Sequence, residues 1–165
     1  MRGRAVDAFV ADLTKQYDIR DYADSQSFIG MEIQRHSPTQ VTVTQEKYLE
    51  QMADRFQLKD AYYVATPMET TMLTANDGSP LAPDPTLYRA MVGSLMYAMC
   101  LTQPGLMYVA MALSRHLAKP TTIHVAAAQR AITWAYHHRH LGITYDGNVD
   151  PLLAGYTRTQ IMLHA

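Results

Sequence analysis

Three histidines close together, His137, His138 and His140, are the residues of this chain that come nearest to a metal-ligand cluster. No cysteine or acidic residue stands at ligand spacing beside them, and a structural zinc site takes four ligands. Five aspartates, Asp7, Asp12, Asp18, Asp21 and Asp24, crowd the N-terminal part. Paired carboxylates can hold the divalent ions of phosphoryl transfer, but these five read as solvated helix faces and caps. No catalytic set and no metal set is therefore expected in this chain. What remains is polar and cationic. Arg115, His116, Lys119, His124, Gln129 and Arg130 lie across two segments of helical pattern and the link between them. Such side chains donate to phosphate oxygens, contacts that position a nucleic acid without reading its sequence. The competing reading is exposed polar helix faces, with His124 capping or packing. Tyr62 and Tyr63, close to Pro67, can stack on bases or simply clasp a helix. The methionines Met91, Met96, Met99, Met107 and Met111 read as flexible core filling.

The bulk properties narrow the classes. At 165 residues and 48% hydrophobic content the chain suits one domain or two small subdomains with a true core. A formal net charge of -1, with only 18% charged residues, lacks the global positive field of a dedicated nucleic-acid binder, so any such contact is local. The single cysteine, Cys100, excludes an internal disulfide framework and fits an intracellular compartment, cytoplasmic or nuclear, as a small buried hydrophobe. The opening stretch reaches Asp7 and Asp12 without an apolar run, so no signal peptide is expected. Residues 90–114 carry no charge, but Thr102, Gln103, Pro104 and Gly105 split them into pieces too short to span a bilayer. No membrane partner is expected.

The elements that must position these residues follow an α+β pattern. Val6, Phe9, Val10 and Leu13 recur at helical spacing and predict an amphipathic helix ending near Tyr17, a cover for a sheet. Residues 28–35 alternate as one strand, with Ile29, Met31 and Ile33 on one face. A turn around Ser37 and Pro38 then returns the chain through Val41 and Val43 as a hairpin. Thr44 is placed to cap the next helix, whose apolar stripe is Tyr48, Leu49, Met52 and Phe56. Residues 59–84 contain Pro67, Asn76, Gly78, Pro80 and Pro83 and predict a long connector. Asp84 before Pro85 starts a helix to about Leu101. Pro104 opens a second through Leu117, and Thr121 or Thr122 caps a third through about His138. These three make a small bundle. Residues 142–145 and 152–156 predict two short strands around Asp146, Gly147 and Asn148.

In order along the chain stand Phe28-Ile29-Gly30-Met31-Glu32-Ile33 and Gln45-Glu46-Lys47-Tyr48, then Thr66-Pro67-Met68 and Tyr88-Arg89 with Val92-Gly93-Ser94-Leu95-Met96-Tyr97. Leu113-Ser114-Arg115, His124 with Ala127, Ala128 and Arg130, Gly142-Ile143 with Tyr145, and Gly155-Tyr156-Thr157 follow. Taken together, this series resembles the reverse transcriptase region of Ty1/copia-type retrotransposon polyproteins. The resemblance implies a piece of an RNA-directed DNA polymerase. Residues 1–58 would be the end of the palm with a primer-grip-like hairpin, 59–84 a connector, 85–140 the helical thumb and connection, and 141–165 a truncated start of an RNase H-like segment. It implies template–primer contacts from Gly30, Gln34 and Arg35 with His36 at the hairpin, and from Arg115, Lys119, His124 and Arg130 along the thumb. Binding to RNA or DNA template–primer would be weak and sequence-independent, and the rest of the polyprotein would be a further partner.

The same resemblance marks what is missing. The family's Tyr-x-Asp-Asp turn, which with Mg2+ performs polymerisation, would precede this chain. The family's Gly-Tyr-Ser/Thr-Asp-x-Asp reads Gly155-Tyr156-Thr157-Arg158-Thr159-Gln160 here, and arginine cannot ligate a metal. Thr-Arg-Pro-Asp reads Thr102-Gln103-Pro104-Gly105. These departures point to a chain inactive on its own and without a cofactor, either a decayed element copy or a domesticated, non-enzymatic module that binds protein or RNA.

Overall fold

In the computed structural model, which describes residues 4–17, 26–69 and 78–147, the first helix, α1, spans Arg4–Gln16. Of its apolar stripe, Val10 and Leu13 are half-buried and Phe9 is 64% exposed. The next segment departs further from expectation. Residues 28–35 do not form one strand: β1 (Ser27–Phe28) and β2 (Met31–Arg35) pair antiparallel with Phe28 opposite Met31. The chain reverses at Ile29 and Gly30, whose φ values are +48° and +68°. Two consecutive residues of positive φ make the tight hairpin turn that suits strand twist. Glycine adopts that backbone freely, whereas a β-branched isoleucine is strained there.

Strand β3 (Gln40–Thr44) continues the sheet, with Glu32 opposite Thr44 and Arg35 opposite Val41. The expected cap of the following helix is corrected. Helix α2 spans Glu46–Arg55 with Gln45 at its N-cap and no side-chain cap. Thr44 instead donates its hydroxyl across the sheet to Glu32 at 3.4 Å.

Helix α3 (Pro85–Leu101) begins as its sequence predicts, with the Asp84 carboxylate accepting from the amides of Thr86 and Leu87 at 2.8 and 3.0 Å. A 3-10 turn at Pro104–Leu106 leads into α4 (Met107–Ser114), and α5 covers Thr122–His137. Strand β4 (Ile143–Asp146) then pairs antiparallel with β3, closing a sheet of order β1-β2-β3-β4. The expected partner strand at 152–156 lies outside the described residues.

One continuous core joins these parts. Leu49, Met52 and Phe56 of α2 pack with Tyr88, Val92 and Leu95 of α3, Val109 and Leu113 of α4, and Ala128, Ala131 and Ile132 of α5. The bundle thus has α2 as a member beside the three expected helices, and the alanines of α5 let the neighbouring helices come close. A buried polar node ties bundle to sheet: Thr102 donates to Gln45 at 2.8 Å, and Gln103 donates to the Leu141 carbonyl at 3.0 Å, just before β4. Cys100 is exposed rather than buried, because it falls on the solvent side of α3. No helix among the described residues is long and apolar enough to cross a membrane.

Tyr88 yields a pH signature. It is fully buried and donates to the Leu113 carbonyl at 2.7 Å, and burial pushes its phenol from 10.0 to about 12. The folded protein holds the neutral form, so this contribution is complete below pH 10 and is lost as pH rises from 10 to 12. Tyr88→Phe removes one of the hydrogen bonds to the Leu113 carbonyl, which keeps the His116 amide at 3.0 Å, and is expected to cost about 0.5–1.5 kcal/mol at neutral pH. It should also shallow the alkaline fall in urea-measured stability. An alkaline slope identical in both proteins would refute this role for Tyr88.

Candidate nucleic-acid interface

The residues singled out in the sequence fall on separate surfaces. Gln34 and Arg35 are exposed at the end of β2, followed by His36, whose Nε2 lies 2.9 Å from the Thr42 hydroxyl. They line one side of a cleft of about 1040 Å³ whose other walls include Lys47 and Glu50 of α2 and Arg139 beyond α5. Arg35, Lys47 and Arg139 line this cleft together with Glu32, Glu46 and Glu50, so its charges balance. Arg139 is held by Glu46 at 3.6 Å and lies over the Tyr136 ring. Neither Lys47 nor Arg139 was singled out in the sequence, since only the packing of α2 against α5 brings them to β2.

Gly30 sits outside the cleft, at the tip of the β1–β2 reversal. A side chain there would meet the Tyr97 hydroxyl at 3.3 Å, and that hydroxyl donates to the Ile29 carbonyl. The backbone at Gly30 therefore lies close against Tyr97 of α3. The side chains of Phe28 and Ile29 remain 59% and 61% exposed beside it.

Arg115 and Lys119 are exposed, at the end of α4 and in the link to α5. Arg89 of α3 supports this link by donating to the Leu117 carbonyl at 3.1 Å. His124 has a different task. Its Nδ1 accepts from the Thr121 amide at 3.0 Å, completing a capping box at the start of α5, and its ring stacks on His116 with centroids 3.9 Å apart. The capping alternative is the one its geometry fits.

Arg130 is also turned inward, to the connector. Its guanidinium lies 3.0 Å from Glu69 and 3.2 Å from the Thr66 hydroxyl, and its side chain is only 22% exposed. Two more groups of α5, and His138 at its C-cap, grip the same segment. The Trp134 indole donates to the Ala65 carbonyl at 3.2 Å, His137 lies 3.1 Å from the Ala61 carbonyl, and His138 lies 3.4 Å from the Tyr63 hydroxyl while stacking on Trp134. His137, His138 and Tyr63 thus share a structural role as a strap, whereas Tyr62 is 94% exposed. Among the described residues no group of three or more His, Cys, Asp or Glu could hold a metal ion. They do not supply a ligand set for the Mg2+ of a polymerase.

Comparison with known proteins finds relatives over most of the chain. No family model matches the chain, and no solved structure matches it. A retrovirus-related Pol polyprotein from transposon TNT 1-94 of Nicotiana tabacum is 33% identical over 88% of this chain and 11% of its own length. The corresponding polyprotein from transposon RE2 of Arabidopsis thaliana is 35% identical over 74% of this chain and 8% of its own. A transposon Ty5-1 protein of Saccharomyces cerevisiae is 27% identical over 88% of this chain and 47% of its own. The chain therefore spans about a tenth of the plant polyproteins and about half of the yeast protein. Over most of its length, the homologues of this chain are Ty1/copia-type retrotransposon Pol polyproteins, at 27–35% identity.

Proposed function

We propose that this chain is the distal part of a copia-type reverse transcriptase, comprising the end of the palm, a primer-grip-like hairpin, the thumb and the connection. Its own role is to hold template–primer nucleic acid without reading sequence. The observation that carries this reading is the similarity to Pol polyproteins along 88% of the chain. The exposed, strained reversal at Ile29 and Gly30 supports it, because strained backbone persists where a site needs a fixed shape. Polymerisation needs carboxylate-held divalent ions to activate the primer hydroxyl. With no such set among the described residues, binding and positioning are the contribution assigned to this chain.

On this reading Gly30, Gln34, Arg35, Arg115 and Lys119 face the nucleic acid, while His124 and Arg130 shape the scaffold behind them. Three cationic contacts, Arg35, Arg115 and Lys119, imply a logarithmic salt slope of about -2 to -3. Affinity should be low and equal for unrelated sequences. Fluorescence anisotropy with RNA–DNA duplexes of two unrelated sequences, across a salt series, measures this. Replacing Arg115 and Lys119 together by alanine is expected to flatten the slope by roughly 2 on both sequences. Arg130→Ala should lower stability and leave the slope alone. Tight binding that ignores salt, or a slope untouched by the paired substitution, would overturn the reading.

A further inference from the structure

The tip of the β1–β2 hairpin is built in a way that its own residues do not explain. Ile29 holds a φ of +48°, and its side chain is 61% exposed, so burial of that side chain does not compensate the strain. The compensation comes from far along the chain. Tyr97, on α3, donates its hydroxyl to the Ile29 carbonyl, and the same hydroxyl closes over Gly30. The Tyr97 ring is steadied in turn by Tyr48 of α2, with centroids 4.8 Å apart and planes inclined by 59°. Tyr48 is anchored by donating to the Ser94 carbonyl at 3.1 Å, less than one turn before Tyr97, and burial pushes its phenol upward. Two helices of the bundle thus converge on one carbonyl of a hairpin tip.

We propose that Tyr97, backed by Tyr48, is a positioning residue that locks the Ile29–Gly30 tip at a set height over α3, so that the tip backbone meets a nucleic-acid duplex in one fixed conformation. The proposal rests on the nucleic-acid role assigned above. Without the clamp, the strained turn relaxes toward backbone conformations that isoleucine prefers. The backbone that the tip presents at Gly30 then has no fixed shape.

The test uses Tyr97→Phe in the full chain, which removes the hydroxyl and keeps the ring against Tyr48. NMR order parameters of the Ile29 and Gly30 amides are expected to fall from about 0.85 to below about 0.6. Duplex affinity, read by anisotropy, should weaken about fivefold, the worth of one neutral hydrogen bond. The salt slope should stay at the wild-type value, because Arg35 remains paired opposite Val41 in the sheet. Adding Ile29→Asn, which tolerates positive φ, should restore both tip order and affinity. A purely structural role predicts no such rescue. An ordered tip in Tyr97→Phe overturns the proposal, as does a disordered tip with unchanged affinity where Arg35→Ala does weaken binding. A wild-type chain with an ordered tip that binds no duplex removes the nucleic-acid role itself, and this proposal with it.

Discussion

Gly142→Ala is expected to detach β4 from the sheet and to destabilise the protein by about 3 kcal/mol or more, beyond the usual range for an added methyl because rigid backbone stands in the way. A Cβ at this position would lie 2.6 Å from the Val43 carbonyl oxygen and 2.7 Å from a methyl carbon of Thr44. Neither is the far end of a flexible side chain. Val43 is tied into the ladder on both sides, opposite Ile33 of β2 and Ile143 of β4, so relief must come from β4. Losing β4 frees Leu141, whose carbonyl accepts from buried Gln103, and an unpaired buried amide adds its own penalty. Two other glycines serve as controls. Gly93 of α3 has nothing within 4 Å of its Cβ position, so Gly93→Ala is expected to stabilise by about 0.5–1 kcal/mol through helix propensity. Gly147 would meet the Thr39 carbonyl at 3.3 Å, a contact that a small shift relieves. Urea denaturation of the three variants, with amide exchange in β3 and β4, checks the order. A Gly142→Ala protein as stable as the parent, with β4 amides still protected, would show that the close approach is not required.

This dependence on β4 also marks the limit of what was legible in the sequence. Features decided within a few residues were readable. Asp84 and Pro85 declare a helix start because capping and a fixed φ act locally, and α3 begins where they place it. The alternation of Val41 and Val43 located β3 for the same reason. The reversal at Ile29 and Gly30 was not readable, since alternation continues unbroken through both residues and isoleucine argues against a positive φ. The β1–β2 pairing flanks it, and the hydroxyl of Tyr97, a distant residue, holds its carbonyl. The pairing of β4 with β3 joins Val43 to Ile143 and carries no local mark. The same is true of the candidate site. Exposure of Arg115 and Lys119 followed from polar residues at a helix end and a link. The inward turn of Arg130 depends on where the connector runs, which placed Thr66 and Glu69 against it. Nor could helical periodicity alone show that His137 of α5 and His138 at its C-cap grip the carbonyl of Ala61 and the hydroxyl of Tyr63.

Gly105→Ala should destabilise the protein by about 1–3 kcal/mol, and a change at Trp134 should recover most of that loss. In the resembling family an aspartate stands at this place, and its replacement by glycine reads from sequence as a weakened helix start. The packing supplies a physical account. A Cβ on Gly105 would come within 2.8 Å of the Trp134 ring, so the 3-10 turn can lie against the indole only while position 105 has no side chain. Trp134 cannot easily yield. Its indole donates to the Ala65 carbonyl and its face carries His138, so moving the ring loosens the strap over the connector. Glycine at 105 and tryptophan at 134 are therefore a matched pair, and the glycine is a packing solution as much as a departure from pattern. A double-mutant cycle isolates the match. Trp134→Phe alone should cost about 1–2 kcal/mol through the lost hydrogen bond and volume, whereas Gly105→Ala in that background should cost close to nothing. The resulting coupling, about 1–3 kcal/mol, belongs to residues in direct contact. Additive losses in urea denaturation would show that the two positions relax independently, and the glycine would then stand without a packing reason.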